Sequence, residues 1–217
     1  MNKDKAILRK QSRPEIPRKT VYRLSIYLRC LHRLKSNAIR TVSSEALAKA
    51  AGVKSAQLRK DLTYFGQFGT RGLGYDVELL SKMISELLGT SSLQPVILVG
   101  VGNLGTALLA YQGFQQEGFE IVAAFDADPA RARAKNTGHP IAGMEEIPKW
   151  ITERTVKMAI IAVPATTAQA VANQLVQHGI SGILNFSPVV LQVPDEVTVN
   201  NVNLAIELEN LSYFVRG

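Results

Sequence analysis

Ahead of residue 89 the apolar positions fall at helical spacing. Leu24, Tyr27, Leu28, Leu31 and Leu34 make one stripe at steps of three and four. That stripe predicts a helix from Thr20 to Leu34, with Arg23, Arg29 and Arg33 off its centre. A second helix starts at Ser43 or Ser44, either of which can cap it. Glu45 then sits in the first turn, where the helix dipole favours a negative charge. Gly52 ends that helix, and Ser55 is placed to cap a third, packed through Val53, Leu58 and Leu62. Ala48 is small enough to let the two helices cross closely. Two short helices joined through a glycine form a helix-turn-helix pattern. From Tyr64 to Val77, aromatic residues and glycines interleave, with Arg71 between Gly69 and Gly72. This segment reads as a β-hairpin wing with Arg71 at its tip. Glu78 to Leu88 returns to helical spacing.

The pattern changes after a short polar run, Gly89 to Pro95. Strand-like apolar runs follow at Pro95–Val99, Phe119–Phe125, Val156–Val163 and Gly182–Phe186, with helical stretches from Thr106 to Tyr111 and from Thr166 to His178. That alternation predicts an α/β unit built on a doubly wound sheet. Near the end of the chain, Leu204, Leu208, Leu211 and Val215 make another apolar helical stripe, with Phe214 beside it. Such a terminal helix packs either on its own domain or on a partner subunit. The expected organisation is an arm (1–17), a winged helix-turn-helix domain (18–88), a linker (89–95), a Rossmann-like domain (96–200) and a C-terminal helix (201–217).

Composition sharpens this division. A chain of 217 residues with 46% hydrophobic and 20% charged residues suits two globular domains. No window approaches the roughly 18 uncharged apolar residues of a membrane span. The charged start, Met1 to Lys5, has no apolar stretch behind it, which argues against a secretory signal. The net charge of +7 is unevenly placed: residues 1–88 carry 18 Lys and Arg against 7 Asp and Glu, whereas residues 89–217 carry 7 against 11. A polyanion is the natural partner of the basic part, and a merely soluble basic face reads the same way. The one cysteine, Cys30, cannot form an internal disulfide and reads as a buried, inert thiol, which fits a reducing cytoplasm.

On the third helix, Gln57, Arg59 and Lys60 are long donors suited to base edges and phosphates in a major groove. Ser55 and Tyr64 flank them, and Arg71 suits a narrow minor groove. In the second half, Gly100-Val101-Gly102-Asn103-Leu104-Gly105 runs from a strand into a helix. That context turns a GxGxxG string into a dinucleotide loop: the first glycine turns the chain, the second lets backbone approach a pyrophosphate, and the third packs helix on strand. Asp126 ends the next strand, 21 residues after Gly105, where a carboxylate accepts from ribose hydroxyls and favours NAD(H) over NADP(H). Arg131 and Arg133 qualify that preference, since an arginine can receive a 2′-phosphate; a solvated helix face is the reading preferred here. Asp128, before Pro129, reads as a cap or turn residue. Pro164 and the segment Asn185-Phe186-Ser187-Pro188 lie at C-terminal strand ends, near the nicotinamide end of a bound dinucleotide. Hydride transfer to a carbonyl calls for a positioned acid. None of His32, His139 or His178 has a carboxylate partner at short range in sequence. No Walker loop, Ser-His-Asp order or Cys/His metal cluster is present, so neither an enzyme nor a metal site is expected.

Five strings are similar to those of the bacterial Rex family of redox-sensing transcriptional repressors. They are Leu58 to Gly66, Phe68 to Tyr75, Gly100 to Gly105, Phe125-Asp126, and Asn185 to Leu191. The resemblance runs from Ile16 to Phe214. It implies a homodimer with domain-swapped C-terminal helices that binds a palindromic DNA operator and is released by NADH, so that it senses the NADH/NAD⁺ ratio. It implies DNA contacts by Arg59, Lys60 and Arg71, and NAD(H) contacts by Gly100, Gly102, Gly105 and Asp126. It further implies a switch contact of Arg, Asp and Tyr between domains and subunits. Arg29 and Tyr111 match the outer members, and Asn203 stands where the family has the acid, so a charged pair with Arg29 is lost. Two other readings stand beside it. One is an NAD-dependent oxidoreductase carrying a nucleic-acid module; the other is a regulator of another nucleotide, such as NADP(H) or coenzyme A.

Overall fold

The computed structural model describes residues 16–66, 69, 73–133 and 137–215. The chain divides into two compact units, Met1–Ser91 and Ser92–Gly217.

The first unit runs α1 (Arg18–Ser36), β1 (Thr41–Val42), α2 (Ser44–Ala50), α3 (Ser55–Thr63), β2 (Tyr75–Asp76) and α4 (Val77–Leu88). The apolar stripe of α1 is its buried face: Leu24, Tyr27, Leu28 and Leu31 pack with Leu47 and Ala48 of α2, Leu58 and Leu62 of α3, and Leu80 and Ile84 of α4. Ser43 is the N-cap of α2; its Oγ accepts from the Ala46 N–H at 3.1 Å. Gly52 takes φ +68° beyond the helix end, where Val53 N–H reaches back to the Ala48 carbonyl at 2.9 Å. Ser43→Ala is expected to cost the first unit about 1 kcal/mol, read as a lower denaturant midpoint with an unchanged slope.

One local expectation changes. Ser55 is the first residue of α3 and not its cap; Lys54 holds the N-cap position without a side-chain bond. Among the described residues the wing strand, β2, pairs antiparallel with β1, which lies ahead of α2. Residues 67, 68 and 70–72, with Arg71 at the expected tip, lie outside the described residues.

The second unit runs β3 (Gln94–Val99), α5 (Asn103–Leu109), α6 (Gly113–Gln116), β4 (Phe119–Phe125), α7 (Pro129–Arg133), β5 (Ile141–Ala142), a 3₁₀ turn (Met144–Glu146), α8 (Ile147–Arg154), β6 (Met158–Ile161), α9 (Ala165–Gln177), β7 (Gly182–Asn185), β8 (Thr198–Asn201) and α10 (Leu204–Val215). Six parallel strands take the order β5-β4-β3-β6-β7-β8. This is the Rossmann order, with the reversal between β3 and β6. Both faces are covered, which explains the continuous apolar runs of the central strands. Ile97, Val99, Ala123, Phe125, Ala159 and Ile161 join the core with α8 and α9. Val96, Leu98, Ala124 and Ile160 join the opposite core with Leu109 of α5.

No residue of α10 is buried. Leu204 is 66%, Leu208 67% and Phe214 82% exposed, so the apolar stripe of this helix lies uncovered in a single chain. No helix among the described residues is long and apolar enough to cross a membrane.

Candidate functional site

The glycine-rich loop leaves β3 at the strand reversal, where open α/β sheets bind ligands. Gly100 takes φ +99°, and a Cβ there would run into the Ala162 carbonyl and the Val163 side chain. Gly105 packs α5 onto the loop, and a Cβ on it would overlap the Gly100 carbonyl oxygen. Gly102 is different: a Cβ there meets nothing within 4 Å, so its open face is space that a ligand can fill. Val101 is buried, whereas Asn103 and Leu104 are exposed in the first turn of α5.

Asp126 follows β4 and is 8% exposed. Its Oδ2 accepts from the Val101 N–H at 2.7 Å and its Oδ1 from the Asp128 N–H at 2.9 Å. This acid therefore clamps the glycine-rich loop and still has lone pairs to offer a ribose. Asp128 accepts from the Arg131 N–H at 3.0 Å, which makes it the cap of α7. Arg133 is not a free surface cation, because its Nε donates to the Ile141 carbonyl at 2.8 Å.

At the far strand ends, the sequence candidates separate into two kinds. Pro164 and Pro188 are exposed, and Phe186 is half-buried. Asn185 is fully buried. Its Nδ2 donates to the carbonyls of Ser187 and Val189 and to Asn201 Oδ1, and its Oδ1 accepts from the Ser187 N–H. Ser187 Oγ donates to the Val163 carbonyl at 2.6 Å. Asn185 and Ser187 thus build the loop that presents Phe186 and Pro188, and their own polar atoms are spent inside it. The spacing of the motif could not separate the two roles.

In the first unit, Arg59 and Lys60 stand exposed on α3. Arg59 is held by Ser44 Oγ at 2.9 Å, Glu45 Oε1 at 3.3 Å and Ser55 Oγ at 3.4 Å. Tyr64 closes α3, 39% exposed. Gln57 departs from the expectation: it is half-buried, and its Nε2 donates to Asp61 Oδ1 at 2.9 Å.

Sequence reasoning gave Asp61 no role, yet it accepts five hydrogen bonds from four side chains. It is fully buried. It receives Arg23 Nε at 2.6 Å and Nη2 at 2.7 Å, Tyr27 OH at 2.8 Å, Thr20 Oγ1 at 3.2 Å and Gln57. Burial pushes its carboxyl up, but the bonds from Arg23, Tyr27 and Gln57 and the Arg23 charge outweigh burial and hold it below the ordinary range. The available signal was an acid at the same helical face as Leu58 and Leu62, opposite Arg23 and Tyr27 four apart on α1. Cys30 is half-buried, and burial raises its thiol against the opposing pull of Arg33.

The three expected switch residues are distributed over both units. Arg29 lies exposed on α1. Tyr111 is exposed, its ring folded over Gly113 and edge-on to Phe114 at 5.1 Å between centroids. Asn203 Oδ1 accepts from the N–H groups of Ala205 at 3.0 Å and Ile206 at 3.4 Å, so the residue in the place of the family acid caps α10. Among the described residues no group of three His, Cys, Asp or Glu could hold a metal.

Residues 15–63 match the family described as "Putative DNA-binding protein N-terminus", and residues 91–189 match the CoA binding domain family. The redox-sensing transcriptional repressor Rex of Pelotomaculum thermopropionicum is 48% identical over 199 residues, covering 92% of this chain and 93% of that one. This chain belongs to the Rex family of redox-sensing transcriptional repressors. The Rex of Carboxydothermus hydrogenoformans is 46% identical over 202 residues, 93% of this chain and 97% of its own. Among solved structures, RSP in complex with β-NAD⁺ and operator DNA superposes with a TM-score of 0.82 at 34% identity, over 91% of both chains. RSP in complex with β-NADH superposes at 0.76 and 33% identity, over 91% of this chain and 92% of that one. The Rex-family assignment makes the chain a regulator and not an enzyme, and the Rossmann-like unit serves sensing.

Proposed function

We propose that this chain works as a homodimer that binds a palindromic operator through its winged helices and leaves it when NADH enters the glycine-rich site. The carrying observation is the likeness to RSP, a Rex-family repressor whose structures hold β-NAD⁺ with operator DNA in one case and β-NADH in another. The local chemistry fits a dinucleotide. The open face of Gly102 leaves room for a pyrophosphate, and the Asp126 carboxylate suits an adenosine ribose. Phe186 and Pro188 would meet the nicotinamide end, and Arg59 and Lys60, exposed on α3, would meet DNA. The nicotinamide supplies the redox difference: its two forms differ by one charge and by ring planarity. A ligand moves DNA affinity only through unequal binding to two dimer arrangements. The uncovered stripe of α10 supports exchange of that helix between subunits, since an isolated apolar helix face of this kind marks an interface. A regulator of operators acts in the cytoplasm.

The test is a gel shift at fixed salt on a palindromic family-type site, with NADH and NAD⁺ titrated separately. Release by NADH at concentrations where NAD⁺ does nothing is the expected result, and would show that Asn203, in the place of the family acid, permits switching. Tight DNA binding indifferent to both nucleotides would overturn the redox switch.

A further inference from the structure

The turn after β4 holds an arrangement that the family assignment does not explain. Arg131 stands over the ribose end of the site, 67% exposed. Its Nη2 lies 3.9 Å from Asp126 Oδ1 and its Nε 3.9 Å from Asp128 Oδ2. Neither contact is a hydrogen bond at that length. The guanidinium therefore balances two carboxylates while its donors stay unspent on either. Asp128 is fixed in place from two sides: its N–H donates to Asp126 and its Oδ1 caps the Arg131 N–H. Arg133, the other cation of α7, is turned away to the Ile141 carbonyl.

We infer that Asp128 is a specificity residue: with Asp126 it ties up Arg131 and so excludes nucleotides whose adenosine ribose is phosphorylated. This rests on the reading of Asp126 as the ribose-binding acid. A plain ribose offers hydroxyl donors to Asp126 and leaves the three-charge cluster undisturbed. A 2′- or 3′-phosphate brings about two negative charges against two carboxylates, and of the two described cations of α7 only Arg131 is not turned away. Removing the charge of Asp128 leaves Arg131 facing one carboxylate instead of two, and able to receive a phosphate with its paired N–H donors. The excluded class has two chemical sources, the 2′-phosphate of NADP(H) and the 3′-phosphate of coenzyme A.

The experiment compares Asp128→Asn with the unsubstituted protein; the amide keeps an acceptor for the Arg131 N–H and loses only the charge. NMR titrations use 5′-AMP, adenosine 2′,5′-bisphosphate and adenosine 3′,5′-bisphosphate, with NADH alongside. The affinity ratio of bisphosphate to 5′-AMP is expected to rise roughly tenfold in Asp128→Asn, the scale of one unit charge a few ångströms away near a surface. The gain is expected to vanish in Asp128→Asn/Arg131→Ala. The isomer that gains identifies which ribose oxygen faces Arg131. An unchanged ratio, or a gain that survives loss of Arg131, overturns the inference. The bisphosphates report on the adenosine end alone. A protein that ignores NADH but shifts its ratio as expected would refute the NAD(H) reading and keep this one.

Discussion

Asp61→Ala is expected to lower the melting transition of the first unit by roughly 10–20 °C, through a loss of about 3 kcal/mol. The loss comes from what stays behind. Arg23, Tyr27 and Gln57 aim donors at one fully buried carboxylate, and an alanine leaves them without an acceptor. Arg23 can swing partly into water, because its side chain is 22% exposed, so the loss stays at the low end for a broken buried ion pair. Tyr27 is pushed up by burial and by its bond to Asp61, so its phenol remains a donor at every working pH. The pH dependence follows from the lowered Asp61 carboxyl. A folded-state value below the unfolded one, about 3.9, gives stability that is fully present above that unfolded value. It is lost as pH falls through the folded value. Acid should therefore erode the first unit of the natural protein below about pH 4, and the variant should lack this component. The chain's one tryptophan, Trp150, lies in α8 of the second unit. Circular dichroism then reports on both units and tryptophan fluorescence on the second alone. A first-unit dichroism transition moved down by that amount, with an unmoved fluorescence transition, is the expected pair. Equal melting of variant and natural protein would remove Asp61 from the account.

Asp61 also shows where sequence reading stops. Leu24, Tyr27, Leu28 and Leu31 were legible because burial of a helix face leaves a period of about 3.6, and that period survives in the sequence. The glycine-rich loop was legible because each glycine answers a steric need and the string stands between strand and helix. A buried acid leaves no such period. Its partners are 34 and 38 residues away, and only folding brings Tyr27 and Arg23 to it. The same limit explains Gln57, whose exposure was inferred from residue type until Asp61, one turn on, drew it inward. The short strands escaped for another reason. β1, β2 and β5 have two residues each, and β8 is a polar edge strand reading Thr-Val-Asn-Asn; none carries an alternation long enough to register. For Asn185 and Ser187 the motif marked the right loop, but a side chain that builds a loop and one that faces a ligand leave the same letters.

The steric contrast among the loop glycines gives the sharpest test of the nucleotide site. Gly102→Ala is expected to weaken NADH binding about a hundredfold, near 2.7 kcal/mol, while leaving operator binding and the melting of both units unchanged. Gly102 has φ −70° and ψ −159°, an extended conformation open to any residue, and an added Cβ meets no protein atom within 4 Å. The protein therefore accepts the methyl group, and on the proposed placing of the pyrophosphate the space it takes is the ligand's. Gly105→Ala should behave in the opposite order. Its Cβ collides with the Gly100 carbonyl, so α5 must move off the loop whose Val101 N–H is bound to Asp126. Overpacking of this kind costs about 1–3 kcal/mol of the second unit's stability, seen in Trp150 fluorescence before any nucleotide is added. If NADH releases the operator only by binding beside Gly102, then Gly102→Ala is a repressor that holds DNA at every NADH concentration where the natural protein lets go. A variant that still releases at the natural concentration would place the pyrophosphate elsewhere. A variant that neither binds DNA nor melts normally would show that the loop, and not the ligand, needed the glycine.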